Sequence, residues 1–209
     1  MADFDMKSDE EKAEALKAWW RSNGISVGAG IALAIAGMFG WNYYKENKLT
    51  SAEGASKIYA QLQKDDADPK ALVEKINNQY GGTVYASLAA LDAAKTACED
   101  NNIDNCISLL KTATESSQDG VATVAKIRLA RTLISAGKLD EAQSILSESM
   151  PKSYESLISE LKGDIHVAKN EFKEARAAYE KAIETAGSVD TRLLQMKRDD
   201  LGDHLKSGA

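Results

Sequence analysis

The chain has 209 residues and a mass of 22.6 kDa, which allows one domain, or one domain with an appendage. Its formal charge of −6 disfavours a nucleic-acid groove, because such a groove needs a basic face. The 32 alanines and two prolines predict an all-α fold, and two His with two Cys leave little for a metal or catalytic site, so we expect neither enzyme activity nor a cofactor.

Residues 1–21 form an acidic leader with six acidic and four basic side chains. Ser8 and Glu11 have the spacing of a capping box, which predicts a short amphipathic helix through Trp20. The residues that share one face of this helix are Ala13, Leu16 and Trp20. We interpret residues 1–21 as a cytoplasmic amphipathic tail.

Residues 22–45 are predicted to cross a membrane. They contain no charged residue before Lys45, and the core from Ile25 to Tyr44 would cover about 30 Å as a helix. The aromatic residues that flank this core, as in interfacial belts, are Trp19, Trp20, Trp41, Tyr43 and Tyr44. A buried core helix and a cleaved signal peptide are the alternatives, but a signal peptide begins with a basic region rather than an acidic one.

The basic residues near the two ends of this segment indicate its orientation only weakly. Four lie on the N-terminal side and three on the C-terminal side, which favours a cytoplasmic N-terminus. Long C-terminal domains translocate largely regardless of charge, so the reverse orientation stays open. In a bacterium, the favoured orientation places residues 46–209 in the periplasm.

A stripe of small residues recurs every four positions along the anchor. This packing stripe comprises Gly24, Gly28, Ala32, Ala36 and Gly40. Small residues let the backbones of two membrane helices approach closely, so the stripe predicts a lateral helix partner. The alternative is the general abundance of Gly and Ala in membrane helices.

The sequence beyond the anchor repeats itself. Residues 137–146 align with residues 170–179 at an offset of 33, and a fainter copy at residues 101–110 precedes the middle one by 36. Small residues recur at matching positions of the three copies, which are Ala94, Ala130 and Gly163 in the first helices and Cys106, Ala142 and Ala175 in the second. This period is typical of tetratricopeptide repeats, in which stacked helix pairs bury a common core. An ordinary helical bundle is the alternative.

The last part of the chain is predicted to cap the array. Residues 190–205 are amphipathic, with a polar outer face. Terminal repeats need such a face, because one side of them has no neighbour. The predicted architecture is therefore one transmembrane helix, a tetratricopeptide-like array over residues 46–209 and a C-terminal capping helix.

The plan of acidic tail, single anchor and degenerate repeats resembles the YfgM family over essentially the whole chain. Four stretches are the most specific parts of this resemblance. They are residues 85–91 (YASLAAL), 128–131 (RLAR), 161–164 (LKGD) and 194–197 (LQMK). The resemblance implies a bacterial inner-membrane protein with a periplasmic repeat domain, ancillary to the Sec translocon and associated with the periplasmic chaperone PpiD. It implies a role in handing newly translocated proteins to periplasmic chaperones, and it carries over no catalytic residue.

The cysteine pair Cys98 and Cys106 is not among the features that the resemblance implies. Their spacing fits neither a redox C-x-x-C motif nor a metal site. By the repeat alignment they lie on two antiparallel helices across the turn at Asn101 and Asn102, close enough for a disulfide, which a periplasmic location would permit. The alternative is that Cys106 is simply a small core residue.

One face of the array is predicted to bind a polypeptide segment. The first helices of each pair line the inner side of such arrays. The candidate groove residues at those positions are Leu88, Leu91, Lys95, Cys98, Val124, Ile127, Arg131, Ile134, Leu157, Asp164 and Val167. Many are apolar, which suits an extended or helical ligand. Alternatively, the helix at residues 190–205 folds back and fills the groove.

Two functional hypotheses follow. In the first, the protein is a non-enzymatic interaction scaffold that docks a chaperone or client near the translocon. In the second, it is a membrane-tethered regulator whose tail, residues 1–21, binds a cytoplasmic signalling protein. No nucleic acid partner is expected, since 26 acidic residues outnumber 21 basic ones after residue 45.

Overall fold

A computed structural model describes residues 9–62, 64 and 69–207, and within these ranges all regular structure is helical. The all-α prediction is therefore confirmed. The helices are α1 (Asp9–Leu62), α2 (Pro69–Tyr80), α3 (Val84–Glu99), α4 (Ile103–Thr114), α5 (Asp119–Ser135), α6 (Leu139–Ile145), α7 (Glu155–Ala168), α8 (Phe172–Thr185) and α9 (Arg192–Ser207), with a 3₁₀ turn at Lys152–Tyr154 before α7.

The chain divides into two compact units, residues 1–50 and residues 51–209. In the first unit the described apolar side chains are mostly exposed, as Ile25 (89%) and Leu33 (75%) illustrate. α1 is the one described helix long and apolar enough to cross a membrane, and no residue of its most apolar stretch is buried. Ser8, the expected cap of the tail helix, lies outside the described residues.

The second unit contains three helix pairs, α3–α4, α5–α6 and α7–α8. Within each pair, a turn of the same type joins the two helices. Each turn places one residue in the left-handed region: Asn101 (φ 59°), Gly137 (φ 72°) or Asn170 (φ 61°). The next N–H donates back to the first helix, as from Lys138 to the carbonyl of Leu133 at 2.9 Å. This Schellman geometry favours Gly or Asn, which tolerate positive φ. The three copies found in the sequence are thus three equivalent turns.

Small residues lie where the helices of a pair meet. Ala130, Ala142 and Ala175 have no exposed surface. Gly163 is buried too, and a Cβ atom added there would lie 2.5 Å from Cε1 of Tyr179. Close approach of α7 and α8 therefore depends on the missing side chain.

A continuous apolar core runs through α3, α4, α5, α6 and α7. It includes Leu110, Leu133, Leu146 and Leu161. A second cluster joins the end of α1 to α2 and α3 through Ala55, Ile58, Val73, Ile76, Ala86 and Ala89. No pair buries its apolar face alone, so stability comes from stacking of neighbours.

The capping helix α9 packs at the end of the array. Leu194 and Leu201 are buried, whereas Leu193 and Met196 are more than 60% exposed. Leu201 contacts the cluster formed by Ala175 and Tyr179 of α8. One face of α9 covers the last pair and the other faces outward.

Candidate functional site

A disulfide joins α3 to α4 within the first pair. The Cα atoms of Cys98 and Cys106 are 5.3 Å apart, and Cys106 has no exposed surface. The bond closes the turn around Asn101, whose left-handed conformation brings the end of α3 against the start of α4.

Removing this disulfide should lower stability without changing the fold. Alanine fits at position 106, since the later repeats have Ala142 and Ala175 there. We expect Cys98→Ala/Cys106→Ala to lose about 2–3 kcal/mol, because the bond closes a short loop in the unfolded chain. The melting temperature of the full chain in detergent, measured by circular dichroism, should fall by about 5–10 °C. Reductant should lower the wild-type midpoint to that of the variant, and an unchanged wild-type midpoint would contradict this prediction.

A cavity of about 310 Å³ lies between α3, α4 and α5, beside the disulfide. We call it the groove pocket. Its lining residues are Leu91, Ala94, Lys95, Cys98, Glu99, Cys106, Leu110, Arg128, Arg131 and Thr132. Four candidate groove residues, Leu91, Lys95, Cys98 and Arg131, are therefore brought together.

The other candidate groove residues differ in their surroundings. Leu88, Val124, Ile134 and Leu157 are half-buried. Ile127 is only 4% exposed within the core, and Leu91 is 6% exposed at the floor of the groove pocket. Part of the apolar surface expected from the sequence is thus core.

Asp164 and Val167 lie beside the C-terminal cap. The Tyr179 hydroxyl donates to Asp164 at 2.7 Å, and the Lys197 ammonium of α9 donates to Asp164 at 2.9 Å and to Glu160 at 2.7 Å. Val167 packs against the apolar cluster that includes Leu201 of α9. α9 therefore lies beside the candidate groove residues at this end of the array.

Protonation states in this cluster follow from burial and pairing. Burial, followed by the hydrogen bond to Asp164, raises the pKa of Tyr179 far above its ordinary value. Burial disfavours the Lys197 ammonium, but hydrogen bonds to Glu160 and Asp164 prevail and raise its pKa. Because the folded-state pKa values of Tyr179 and Lys197 are both raised, the stability that these two groups contribute is present at neutral pH and is lost as the pH rises into the alkaline range and removes their protons.

Sequence reasoning missed Arg128 and Thr132 as lining residues of the groove pocket. Arg128 lies three positions before Arg131, and Thr132 four positions after Arg128. Such spacings place side chains on one helix face, so the signal was present in α5. Among the described residues, no three His, Cys, Asp or Glu side chains cluster as metal ligands would.

The packing stripe lies along an exposed part of α1. A Cβ added at Gly28 or Gly40 would meet nothing within 4 Å, whereas one at Gly24 would touch the Trp20 ring at 3.4 Å. Ala32 and Ala36 are exposed. Most of the stripe is therefore open to close approach by another helix.

Comparison with known proteins places this arrangement in a family. The model of a tetratricopeptide repeat-like domain matches residues 17–203. An ancillary SecYEG translocon subunit of Aggregatibacter actinomycetemcomitans is 33% identical over 92% of this chain and 97% of its own length. The proteins of the same name from Haemophilus influenzae and Escherichia coli are 31% and 24% identical, over 92% and 93% of this chain and 97% of their own lengths. No solved structure matches the chain significantly.

These matches confirm the fold class and the resemblance to the YfgM family. They extend across the apolar helix and the three pairs rather than a single repeat. Translocon-subunit relatives and one apolar helix near the N-terminus fit an inner-membrane protein. The chain therefore belongs to the YfgM family of ancillary SecYEG translocon subunits with a tetratricopeptide repeat-like domain.

Proposed function

We propose that this protein is a non-enzymatic, membrane-anchored scaffold for protein–protein interaction that is associated with the Sec translocon. The observation that carries this proposal is full-length similarity to ancillary SecYEG translocon subunits, at 33% identity over 92% of the chain. Helical repeat arrays form extended concave surfaces that commonly bind other polypeptides.

The anchor supplies one contact. Its packing stripe leaves Gly28, Ala32 and Ala36 open on one helix face. Between helices in a membrane there is no hydrophobic driving force, so small residues that allow close packing matter most. We assign this face to a lateral contact with a helix of the translocon.

The repeat domain supplies the second contact. In this proposal it links newly translocated proteins to periplasmic chaperones, with PpiD as the partner that the family resemblance implies. The groove pocket, with Leu91 and Leu110 among its lining residues, and the half-buried Val124 and Ile134 offer apolar surface to a polypeptide segment.

The scaffold requires residues 46–209 to be periplasmic. Ser117 is exposed between α4 and α5, and both native cysteines are disulfide-bonded, so Ser117→Cys adds one free thiol. We expect an impermeant maleimide to label this variant in intact spheroplasts. Ala13→Cys, in the cytoplasmic tail, is the matched control and should be labelled only after detergent is added. Labelling of Ser117→Cys only after detergent would contradict the orientation.

Capture from mildly solubilised membranes tests the proposal. A C-terminally tagged full chain should retain SecYEG well above an unrelated single-span protein expressed at the same level. Deleting residues 2–21 separates the two hypotheses, because the scaffold hypothesis expects retention to persist. If retention disappears with the tail alone, the tail carries the interaction and the regulator hypothesis prevails. If the full chain retains no SecYEG, the scaffold proposal is wrong.

A further inference from the structure

The groove pocket is lined by three cationic side chains, Lys95, Arg128 and Arg131. Lys95 faces Glu99 at 3.8 Å, with both side chains about two-thirds exposed. Neither guanidinium forms an ion pair or a side-chain hydrogen bond with any residue that the structure describes. Three cations and one carboxylate therefore leave the pocket with an excess of positive charge.

This excess occurs in an acidic domain. After residue 45 the chain has 21 basic and 26 acidic residues. Two other cations of the array pair across neighbouring helices, Lys111 with Glu141 at 3.2 Å and Lys169 with Asp140 at 3.0 Å. Two arginines three positions apart on one helix repel each other modestly, and an anion bound between Arg128 and Arg131 would relieve that repulsion.

The floor of the groove pocket is apolar and rigidly held. Leu91 and Ala94 of α3 and Leu110 of α4 are buried there. The disulfide beside them ties α3 to α4, and the Sγ atom of Cys98 lies 3.9 Å from the Thr132 hydroxyl. A ligand would therefore meet a preformed apolar floor beneath a cationic rim, which limits the entropy lost on binding.

We infer that the groove pocket binds an acidic segment of a partner polypeptide. Its carboxylates pair with Arg128 and Arg131, whose planar guanidinium groups suit carboxylate oxygens, and an adjacent apolar side chain lies on the floor. This inference rests on the proposed function and names the chemistry of the segment that the repeat domain would hold. Broad polyanions such as nucleic acid are disfavoured, because the surrounding domain is acidic. The acidic tail of the same chain is excluded as occupant by the proposed topology.

Fluorescence polarisation on the detergent-solubilised full chain tests this inference. The probes are three short fluorescein-labelled peptides: one of alternating Glu and Leu, one of Lys and Leu, and one of Glu and Ser. We expect the Glu/Leu peptide to bind about tenfold more tightly than either other peptide, and its binding to weaken with added salt. Arg128→Glu/Arg131→Glu should weaken it at least about tenfold.

Matched variants exclude a general charge effect. Lys173→Glu/Arg176→Glu reverses two exposed cations that are also three positions apart, on α8 outside the pocket, and should change affinity less than about twofold. Arg128→Gln/Arg131→Gln, which introduces no new charge, should also weaken binding. Equal binding of the Glu/Leu and Lys/Leu peptides, or unchanged affinity in the Gln variant, overturns the inference. SecYEG retention by wild type is scored separately, so its absence overturns the proposed function and not peptide selectivity.

Discussion

Replacing Gly163 with leucine should strongly destabilise the packing of α7 against α8. A Cβ atom at this position would lie 2.5 Å from Cε1 and 2.6 Å from Cδ1 of Tyr179. The ring cannot easily move aside, because it is 3% exposed and its hydroxyl donates to Asp164 at 2.7 Å. Overpacking of this kind should cost about 3 kcal/mol or more, a large share of the stability of an ordinary domain.

Circular dichroism of the full chain during denaturant unfolding measures this effect, since the three tryptophans all lie in the N-terminal unit. Gly120→Leu is the matched control. Gly120 is in the first turn of α5, a Cβ there would meet nothing within 4 Å, and leucine has the higher helix propensity. Tyr179→Ala combined with Gly163→Leu should recover part of the loss. Equal stability of the Gly163→Leu and Gly120→Leu proteins would contradict close packing at this crossing.

Leucine in the packing stripe should weaken association in the membrane while leaving the repeat domain folded. Gly28→Leu/Ala32→Leu should force the two helix backbones apart, with a loss of about 1–2 kcal/mol, or roughly tenfold in affinity. Insertion should persist, because leucine is more favourable in lipid than glycine. Blue-native electrophoresis of the membranes should show fewer complexes with the translocon.

Gly30→Leu/Ala34→Leu is the control for this experiment. It makes the same two changes with the same spacing, but two positions along the helix places them on the opposite face. This variant should retain the complexes. If both variants behave alike, or if the Gly28→Leu/Ala32→Leu complexes are unchanged, the anchor is a passive tether and association lies in the repeats.

The repeats could be predicted from the sequence because the residues that each turn requires recur at the same positions as the small residues that let its helices pack. Asn101, Gly137 and Asn170 occupy aligned positions, and each adopts the positive φ that the turn requires. Thr50 and Glu53 also have the spacing of a capping box, which predicts the start of a helix, but α1 continues through both residues to Leu62. A capping residue needs a non-helical backbone, and nothing in this segment interrupts the helix.

The candidate groove was harder to predict because helical periodicity identifies a face but not its depth. Leu91 and Ile127 lie on the expected face, yet both are less than 10% exposed. Asp164 pairs with Lys197, which lies 33 residues later and on another helix. Such long-range partners depend on how helices stack, and the pattern within one helix contains no information about them.

Site-specific photo-cross-linking in native membranes tests the central claim most directly, because it requires no detergent. A photoreactive side chain at Ala36, on the packing stripe, and one at Ala34, on the opposite face, would be activated in living cells. Covalent partners would then be identified by mass spectrometry. We predict adducts with a SecYEG subunit from position 36 and markedly fewer from position 34. Absence of SecYEG adducts from position 36, with the protein inserted at normal abundance, would contradict the proposed association through the stripe.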